Sequence, residues 1–396
     1  MSYNQWTSMK LSNIGDIVTG KTPPTKDEKY WGGTIPFLTP TDNMDQKNIT
    51  ETIRFLSKKA SEDFPKLYLP IDSICVSCIG SDLGKVVKVK RRLITNQQIN
   101  SIIPKPSYHP DFIYYSMIIL GKKMNHLSKT STAVPIINKS TFSNFDILVP
   151  NYNIQKAIAN ILSSLDDKIE LNNKINKNLE EVAQTLYKRW FVEFEFPNED
   201  GEPYKSSGGE MVESELGLIP KEWYVDLLGN VVNIIYGKNL PTKNLLLKGY
   251  PVFGGNGIIG YNDKFLYKNP KVLVSCRGAA SGSVLNSLKN SFVTNNSLIL
   301  EDNEKISYEY LKELSKNRSY FDFVSGSAQP QVTIASISQC KIIIPQRKTL
   351  NEFTKVMKES NEIIENLYYE NLKLAQLRDE LLPKLMSGEI EVAIEE

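Results

Sequence analysis

Cysteine and histidine are scarce in this chain. Its 396 residues include four cysteines and only two histidines, His109 and His126. Four cysteines in a chain this long do not make a disulfide framework, and the two histidines lack the spacing of metal ligands. No Ser/His/Asp set or carboxylate pair stands out either. We therefore expect neither a catalytic constellation nor a bound metal in this chain.

Long apolar runs and a strong net charge are also missing. No run of about 18 uncharged apolar residues is present, so we expect no membrane span. The first residues, MSYNQWTSMKLSN, have no apolar signal core, which indicates a cytoplasmic protein. The net charge is +2, so any surface for nucleic acid must be a local patch. Hydrophobic residues make up 41% of the chain, enough for sizeable cores.

The chain does contain a long internal repeat. GKTPPTK returns as GKNLPTK at an offset of 217, and VSCIGSDLGKVV returns as VSCRGAASGSVL at an offset of 198. Because the offset falls further to 195, the second copy has shorter loops. Collinear blocks indicate two related globular domains. The blocks start at Gly20 and Gly237, Val76 and Val274, Thr95 and Thr294, and Thr132 and Ser327.

Each copy ends in a stretch that predicts a long helix. Positions at alternating spacings of four and three are apolar in eight of eleven cases in each stretch. We predict that the two helices pair as a coiled coil; the alternative is that each packs only on its own domain. Together with Ile154, Leu350 and Leu385, the apolar seam residues are Ile158, Ile161, Leu165, Ile175, Leu179, Val182, Leu186, Phe353, Met357, Ile364, Leu367, Leu374 and Leu381.

The globular parts mix strand and helix patterns. Short β-branched runs occur at Ser73–Ile79, Lys85–Val89 and Lys271–Ser275, and helix patterns at Pro110–Leu120 and Ser307–Leu314. This mixture predicts an α+β fold. Between the copies, a stretch rich in Gly, Ser, Pro and acids indicates a connector.

One motif suggests nucleotide hydrolysis. GDIVTGKT, Gly15 to Thr22, fits the phosphate-binding pattern G-x-x-x-x-G-K-[ST]. The second copy has Val232 in place of Gly15 and Asn239 in place of Thr22. A phosphate-binding loop must lead directly into a helix, and the two prolines after Thr22 disfavour one. We therefore predict a turn and no nucleotide site.

A second motif suggests redox or zinc chemistry. Cys75 and Cys78 form a C-x-x-C pair. Cys276 repeats Cys78, but Leu273 stands where Cys75 would recur. Without further ligands the pair is weak support for either chemistry. We predict buried thiols on strands.

Basic and amide side chains favour a binding function instead. Lysine and arginine neutralise DNA phosphates, amides read base edges, and Arg277 is a candidate for guanine. For any single lysine, the alternative is a solvated strand face. The candidate DNA-binding residues are Lys21, Lys26, Lys85, Lys88, Lys90, Arg91, Arg92, Lys238, Lys243, Asn256, Arg277, Gln329 and Gln331, with Gln97 and Gln98 as further amides.

The whole chain resembles a specificity subunit of a type I restriction-modification system. The resemblance rests on the doubled Gly-Lys-x-x-Pro-Thr-Lys block and the Pro-Ile-Ile or Pro-Gln-Val stretch before a strand that ends in proline. It also rests on the helix end LEEVAQTLYKRWFVEFEF, the connector PNEDGEPYKSSGGEMVESELGLIPKEW and the final LRDELLPKLMSGEI. The first copy departs from the pattern, since it lacks the Glu-Leu-Gly-x-Ile-Pro lead-in found before Trp223.

The resemblance implies a domain plan. Target-recognition domain 1 would span 1–150, spacer helix 1 would span 151–195, the connector 196–214, target-recognition domain 2 would span 215–345, and spacer helix 2 with the tail 346–396. In such a plan two similar α+β domains are separated by two long antiparallel helices that form a coiled coil, with a pseudo-twofold internal repeat.

The resemblance also implies function and partners. Each domain would read one half of a bipartite double-stranded DNA site, and the helices would fix the gap. The implied partners are two methyltransferase subunits, which bring S-adenosylmethionine, and restriction and translocase subunits, which bring ATP and magnesium. No cofactor is expected in this chain itself. The alternative is a non-catalytic, two-armed coiled-coil scaffold that binds proteins rather than DNA.

Overall fold

The chain divides into two compact units. The computed structural model describes residues 6–80, 82–130, 136–326 and 328–393. Residues 1–171 and 370–396 form unit 1, and residues 172–369 form unit 2. The beginnings of the last pair of repeat blocks, 132–135 and Ser327, lie outside the described residues. In the described ranges, no helix is long and apolar enough to cross a bilayer.

Unit 1 alternates short strands with helices. Its strands are β1 (Thr7–Lys10), β2 (Gly15–Thr19), β3 (Trp31–Leu38), β4 (Asn48–Ile49), β5 (Phe55–Leu56), β6 (Ile74–Ser77), β7 (Val86–Val89), β8 (Ile94–Thr95), β9 (Ile99–Pro104) and β10 (Asp146–Val149). Its helices are α1 (Leu11–Ile14), α2 (Lys58–Asp63), α3 (Pro110–Thr130) and α4 (Lys139–Ser143), and α5 (Tyr152–Tyr187) begins in it.

Unit 2 follows the same plan. Its strands are β11 (Met211–Ser214), β12 (Gly217–Pro220), β13 (Tyr224–Leu227), β14 (Asn233–Tyr236), β15 (Tyr250–Gly254), β16 (Gly257–Asn262), β17 (Val272–Ser275), β18 (Val284–Asn286), β19 (Phe292–Val293), β20 (Ser297–Glu301) and β21 (Lys341–Ile344). Its helices are α6 (Leu228–Val231), α7 (Tyr308–Asn317) and α8 (Ile334–Ile337), and α9 (Arg347–Ser387) begins in it.

The sheets confirm the internal repeat. Unit 1 has a sheet of order β2-β9-β6-β7-β4 and unit 2 one of order β14-β20-β17-β18. A three-stranded sheet in each unit, β5-β3-β8 or β16-β15-β19, contains one parallel pair. In each unit the first domain strand also pairs with the strand just before the long helix. The prediction of two similar α+β domains is therefore confirmed, and no strand in the described part of unit 2 corresponds to β4.

In each repeated Gly-Lys block, the glycine backbone packs closely against the backbone of a neighbouring segment. The Gly20 amide donates to the Ile99 carbonyl at 3.1 Å, and the Gly237 amide donates to the Ser297 carbonyl at 3.1 Å. A Cβ atom at either glycine would overlap the carbonyl oxygen of the neighbouring Thr-Asn segment. After β2 the next α-helix of the described chain begins only at Lys58. Strand β2 is thus followed by irregular backbone and a turn at Thr25–Lys26, and it does not run directly into an α-helix as a phosphate-binding loop does.

The two long helices run antiparallel within each unit. In unit 1, Asp166 lies opposite Arg378 and Lys168 lies opposite Glu370. In unit 2, the Asn176 side chain donates to the Ile364 carbonyl. Each helix also packs on its own domain: Ile154 and Ile158 of α5 join the unit 1 core, and Phe353 and Met357 of α9 join the unit 2 core. The predicted pairing of the two helices is therefore confirmed, and the alternative, in which each helix packs only on its own domain, is wrong.

Two predicted seam residues are wrong. Ile161 is 40% exposed and Val182 is 58% exposed, whereas Leu162 and Ala183 are buried. The buried face of α5 is centred about one residue later because the helix covers its own domain as well as α9, so a strict four-three series misses its centre. The remaining seam residues are buried or half-buried: Ile158, Leu165, Ile175, Leu179, Leu186, Phe353, Met357, Ile364, Leu367, Leu374 and Leu381.

Aromatic packing ends α5 and orders the connector. A π-helical turn, Lys188–Val192, follows α5 and turns Trp190 and Phe191 inward. Phe196 then stacks on Trp223 with ring centroids 4.9 Å apart. The β11–β12 hairpin lies within this stretch. The region that looked like an irregular connector is therefore a folded part of unit 2.

A buried ion pair joins the helices of unit 1 to its domain. Arg378 Nη1 lies 2.7 Å from Asp166 Oδ1. The Tyr115 hydroxyl of α3 donates to Asp166 Oδ2 at 2.6 Å. The Asp166 side chain is 8% exposed, so its charge depends on these two partners.

Arg378→Ala should therefore destabilise the protein. It leaves the Asp166 carboxylate buried without its cation, at a cost on the order of 3 kcal/mol. Lys373→Ala, at an exposed position on the same helix, should change the free energy of unfolding by about 0.5 kcal/mol or less. Urea denaturation of the full chain, followed by circular dichroism, measures both. Equal shifts for the two variants would contradict the assigned role of Asp166.

All four thiols are buried. Burial raises the pKa of Cys75 to about 12 and that of Cys78 to about 11. Cys276 and Cys340 are also buried and free. The prediction of buried thiols is confirmed, and neutral thiols of this kind are poor metal ligands and poor nucleophiles.

The folded chain should accordingly resist thiol reagents. At pH 8 we expect no fast reaction with a disulfide reagent such as DTNB, and four reactive thiols once guanidinium unfolds the chain. The unfolded sample is the control for reagent and protein concentration. One or two thiols that react rapidly in native buffer would show that the C-x-x-C pair is accessible.

Candidate nucleic-acid interface

Five segments of unit 2 meet at one end of its sheets. The Lys238 amide donates to the Val293 carbonyl at 2.9 Å, and the Cys276 amide donates to the Asn296 carbonyl at 2.9 Å. The Val332 amide in turn donates to the Cys276 carbonyl at 3.1 Å. We call this set the loop edge of unit 2; it comprises Gly237–Lys238, Gly254–Gly257, Cys276–Gly278, Thr294–Asn296 and Gln329–Val332.

Polar side chains project from this edge. Arg277 and Gln331 are paired through an isolated antiparallel bridge and both are exposed, as is Gln329. The Arg277 guanidinium makes no hydrogen bond or ion pair within the described part of the chain. Asn256 lies in the turn that joins β15 to β16. The structure thus brings together the amides and the arginine that the sequence suggested for base reading.

Unit 1 builds the same edge from the same hydrogen bonds. The Lys21 amide donates to the Thr95 carbonyl at 2.9 Å, and the Cys78 amide donates to the Gln98 carbonyl at 2.8 Å. The Ile137 amide donates to the Cys78 carbonyl at 3.0 Å. We call this set the loop edge of unit 1; it comprises Gly20–Thr22, Cys78–Gly80, Thr95–Gln98 and Ile136–Ile137.

The side chains of the two edges differ. The Thr22 hydroxyl donates to Gln97 Oε1 at 2.8 Å. Ile136 is 64% exposed on this edge, although the candidate set from the sequence held only basic and amide residues. The repeat alignment pairs Ile136 with Gln331, and it pairs Ile79 with Arg277. That alignment could have found both isoleucines, since it marks where one scaffold carries different chemistry.

The lysines of the two Gly-Lys blocks are available. Lys21, Lys26, Lys238 and Lys243 are all exposed. None forms an ion pair with a described carboxylate. Lys21 lies 5.9 Å from the centre of the Phe64 ring. Positive charge without an acidic neighbour suits contact with phosphate.

The basic run from Lys85 to Arg92 does not form one patch. Lys85 lies 3.1 Å from Asp45 and 3.2 Å from Asp82. Lys90, Arg91 and Arg92 follow β7 at the end of the sheet opposite the loop edge. There Arg91 pairs with a glutamate and Arg92 covers a tyrosine ring. The run is therefore mostly occupied by internal contacts.

Lys88 is a correction to the candidate set. Its side chain is 3% exposed, and its ammonium lies 2.5 Å from Asp111. Burial lowers the pKa of Lys88, and Asp111 opposes that shift. A lysine held inside the unit in this way has no surface to offer a phosphate.

No cluster of three or more His, Cys, Asp or Glu side chains suited to a metal occurs in the described ranges. The interface is thus made of cations, amides and apolar side chains on a shared backbone frame. Side chains of these kinds contact phosphates and base edges on surfaces that bind nucleic acid.

Comparisons with known proteins agree with this geometry. A family model described as "Type I restriction modification DNA specificity domain" matches residues 3–181 and 220–375. The chain is 30% identical over 417 residues to the type I restriction enzyme MjaIX specificity subunit of Methanocaldococcus jannaschii, covering 98% of this chain and 94% of that one. It is 35% identical over 186 residues to the HindI specificity subunit of Haemophilus influenzae, covering 46% and 40% of the two chains.

The fold has a solved counterpart. The crystal structure of the S subunit of a type I restriction-modification system from M. genitalium matches with a TM-score of 0.60, at 18% identity over 97% of each chain. This likeness concerns the fold. The two matched domains and the relative that is 30% identical over 98% of this chain favour DNA specificity over a protein-binding scaffold. The chain therefore belongs to the specificity subunits of type I restriction-modification systems.

Proposed function

We propose that the two loop edges read the two halves of a bipartite double-stranded DNA site, and that the chain itself is not catalytic. The observation that carries the proposal is the pair of edges with matching backbone hydrogen bonds and different side chains. A shared frame lets both domains approach DNA in the same way. Different side chains on that frame give different half-sites.

The chemistry of each edge indicates what it reads. Arg277 and Gln331 of unit 2 offer hydrogen-bond donors to base edges, and an arginine fork matches guanine. At the equivalent positions unit 1 has Ile79 and Ile136, which suit an apolar contact such as a thymine methyl group. Gln97 and Gln98 supply amides beside them. We infer that guanine is read by unit 2 and that unit 1 reads its half-site without an equivalent arginine.

The exposed lysines of the Gly-Lys blocks would bind phosphates. Lys21 and Lys238 leave the edge at the same point of each unit, held by equivalent backbone hydrogen bonds. Phosphate contacts fix the register of a protein on the duplex without reading sequence. The long helices would then set the unread gap between the half-sites.

Methylation and cleavage would come from partner subunits. Methyltransferase subunits would bring S-adenosylmethionine and flip the target adenine, and restriction and translocase subunits would bring ATP and magnesium. Apolar side chains remain exposed on the helices, at Ile161 and Leu372 in unit 1 and at Val182, Val356 and Ile363 in unit 2. Exposed apolar side chains on long helices suit docking by partner helices.

Lys238→Ala should weaken DNA binding equally for all sequences. Loss of one phosphate contact lowers the slope of log K against log salt by about 1. Lys90→Ala, which changes an exposed lysine away from the loop edge, should leave that slope unchanged. Salt-titrated binding of the assembled complex to duplex DNA measures both. Equal slopes for wild type and Lys238→Ala would remove Lys238 from the interface.

Arg277→Ala should relax specificity in one half-site only. Loss of a bidentate contact to guanine costs about 1–3 kcal/mol for the correct base and little for other bases. Arg92→Ala, which removes an arginine engaged with Tyr68, is the matched control. Binding selection from a randomised duplex library reports both half-sites. An unchanged unit 2 half-site would refute the role of Arg277. Binding to proteins only, with an affinity that does not depend on salt, would favour the alternative of a protein-binding scaffold.

A further inference from the structure

Unit 2 contains a polar cavity beside an uncovered sheet edge. The cavity has a volume of about 710 Å³ and lies between β18, α7 and the two long helices. Asn286 of β18, Glu309 of α7 and Asn176 of α5 line it. β18 is the last strand of its sheet.

Unit 1 fills the corresponding space with its own chain. There β4 pairs in parallel with β7, and Lys47, just before β4, reaches inward. Lys47 Nζ lies 3.0 Å from Asp111 Oδ1 and donates to Ser163 Oγ at 2.7 Å. Lys88 Nζ lies 2.5 Å from the same Asp111 oxygen. The half-buried Asp111 carboxylate therefore pairs with two ammonium groups.

The repeat shows what unit 2 lacks. The offset of 198 takes Lys88 to Asn286 and Asp111 to Glu309. Lys47 has no counterpart in the repeat. The offset falls by 19 residues between the Gly-Lys and Val-Ser-Cys blocks, and the residues of unit 2 that the structure describes contain no strand equivalent to β4. The carboxylate is kept and both of its cations are gone.

The cavity is left with unused acceptors. Glu309 forms no ion pair with any described residue, and burial raises its pKa. Asn286 Oδ1 and Asn176 Oδ1 are buried without a hydrogen-bond partner. An unpaired buried acceptor costs free energy that a donor recovers.

The lysines around the cavity do not replace the missing ones. Lys289 pairs with Glu365 at 2.7 Å, and Lys312 donates to Asn361 at 2.6 Å. Lys358, on α9, stands at the position of Ser163 and forms no ion pair with a described carboxylate. Lys312 and Lys358 line this cavity, and their positive charges oppose the rise in the pKa of Glu309, but neither forms an ion pair with it.

We propose that this cavity binds an alkylammonium group, with its nitrogen at Glu309 and its donors directed to the Asn286 and Asn176 amide oxygens. An ammonium group has three donors and no acceptor, which matches a carboxylate and two amide oxygens. The bound ammonium group would take the place that the Lys47 ammonium has in unit 1, but it would come from another molecule. The source is either a lysine of a partner subunit or a free diamine.

Cadaverine, a diamine with a lysine-like stem, is the probe. Titrated into the full chain at constant ionic strength, it should bind wild type, and Glu309→Gln should weaken it about tenfold or more. Asn286→Lys should abolish binding and raise Tm, because it recreates the Lys88–Asp111 pair at the corresponding position. Asn351→Lys, an exposed site on α9 outside the cavity, should leave binding unchanged and controls for added charge.

Cross-linking distinguishes the two possible sources of the ammonium group, a partner lysine and a free diamine. Carbodiimide treatment of the complex with methyltransferase subunits should join Glu309 to a partner lysine if a subunit fills the cavity. Cadaverine binding without that cross-link assigns the cavity to a free amine. The proposal is overturned if cadaverine fails to bind wild type, or binds wild type, Glu309→Gln and Asn286→Lys equally.

Discussion

Each loop edge depends on a glycine backbone packed against a Thr-Asn segment. The approach at Gly20 and at Gly237 leaves no room for a Cβ atom, so any other residue would push the two segments apart. This contact fixes Lys21 and Lys238 at the end of the sheet. Each lysine lies beside the segment that leads into β9 in unit 1 or β20 in unit 2. From the same segment the hydrogen bonds continue to Cys78 or Cys276 and on to the last loop of the edge. The Gly-Lys pair is thus a structural joint, which explains why it recurs without the other features of a nucleotide site.

Much of the architecture follows from the sequence because the chain contains an internal repeat. A block that recurs in the same order in two halves must serve a shared backbone, and the sheets of both units obey this. The heptad-like stretches also gave the helices to within a few residues, α5 at Tyr152–Tyr187 and α9 at Arg347–Ser387. What failed was finer: Ile161 and Val182 are exposed because the buried face of α5 serves two neighbours at once.

The candidate interface could be predicted only in part, because charge alone does not reveal accessibility. Lys88 and Arg92 look alike in the sequence, yet one is sealed against Asp111 and the other covers a tyrosine. Their positions depend on contacts from distant parts of the chain, which no local pattern encodes. Ile136 was missed for the opposite reason, since an apolar residue resembles core until its exposure is known. The two copies also differ informatively: unit 2 keeps a carboxylate at Glu309 but has no counterpart of the two lysines that pair with Asp111 in unit 1.

One chain carries two DNA-recognition domains built on a common backbone frame. A long-read methylation map of the source genome, with and without this gene, tests it most directly. We expect that a single adenine motif, split into two half-sites by an unread gap, loses its methylation when the gene is deleted and regains it on complementation. A split motif that stays methylated without the gene would contradict the account.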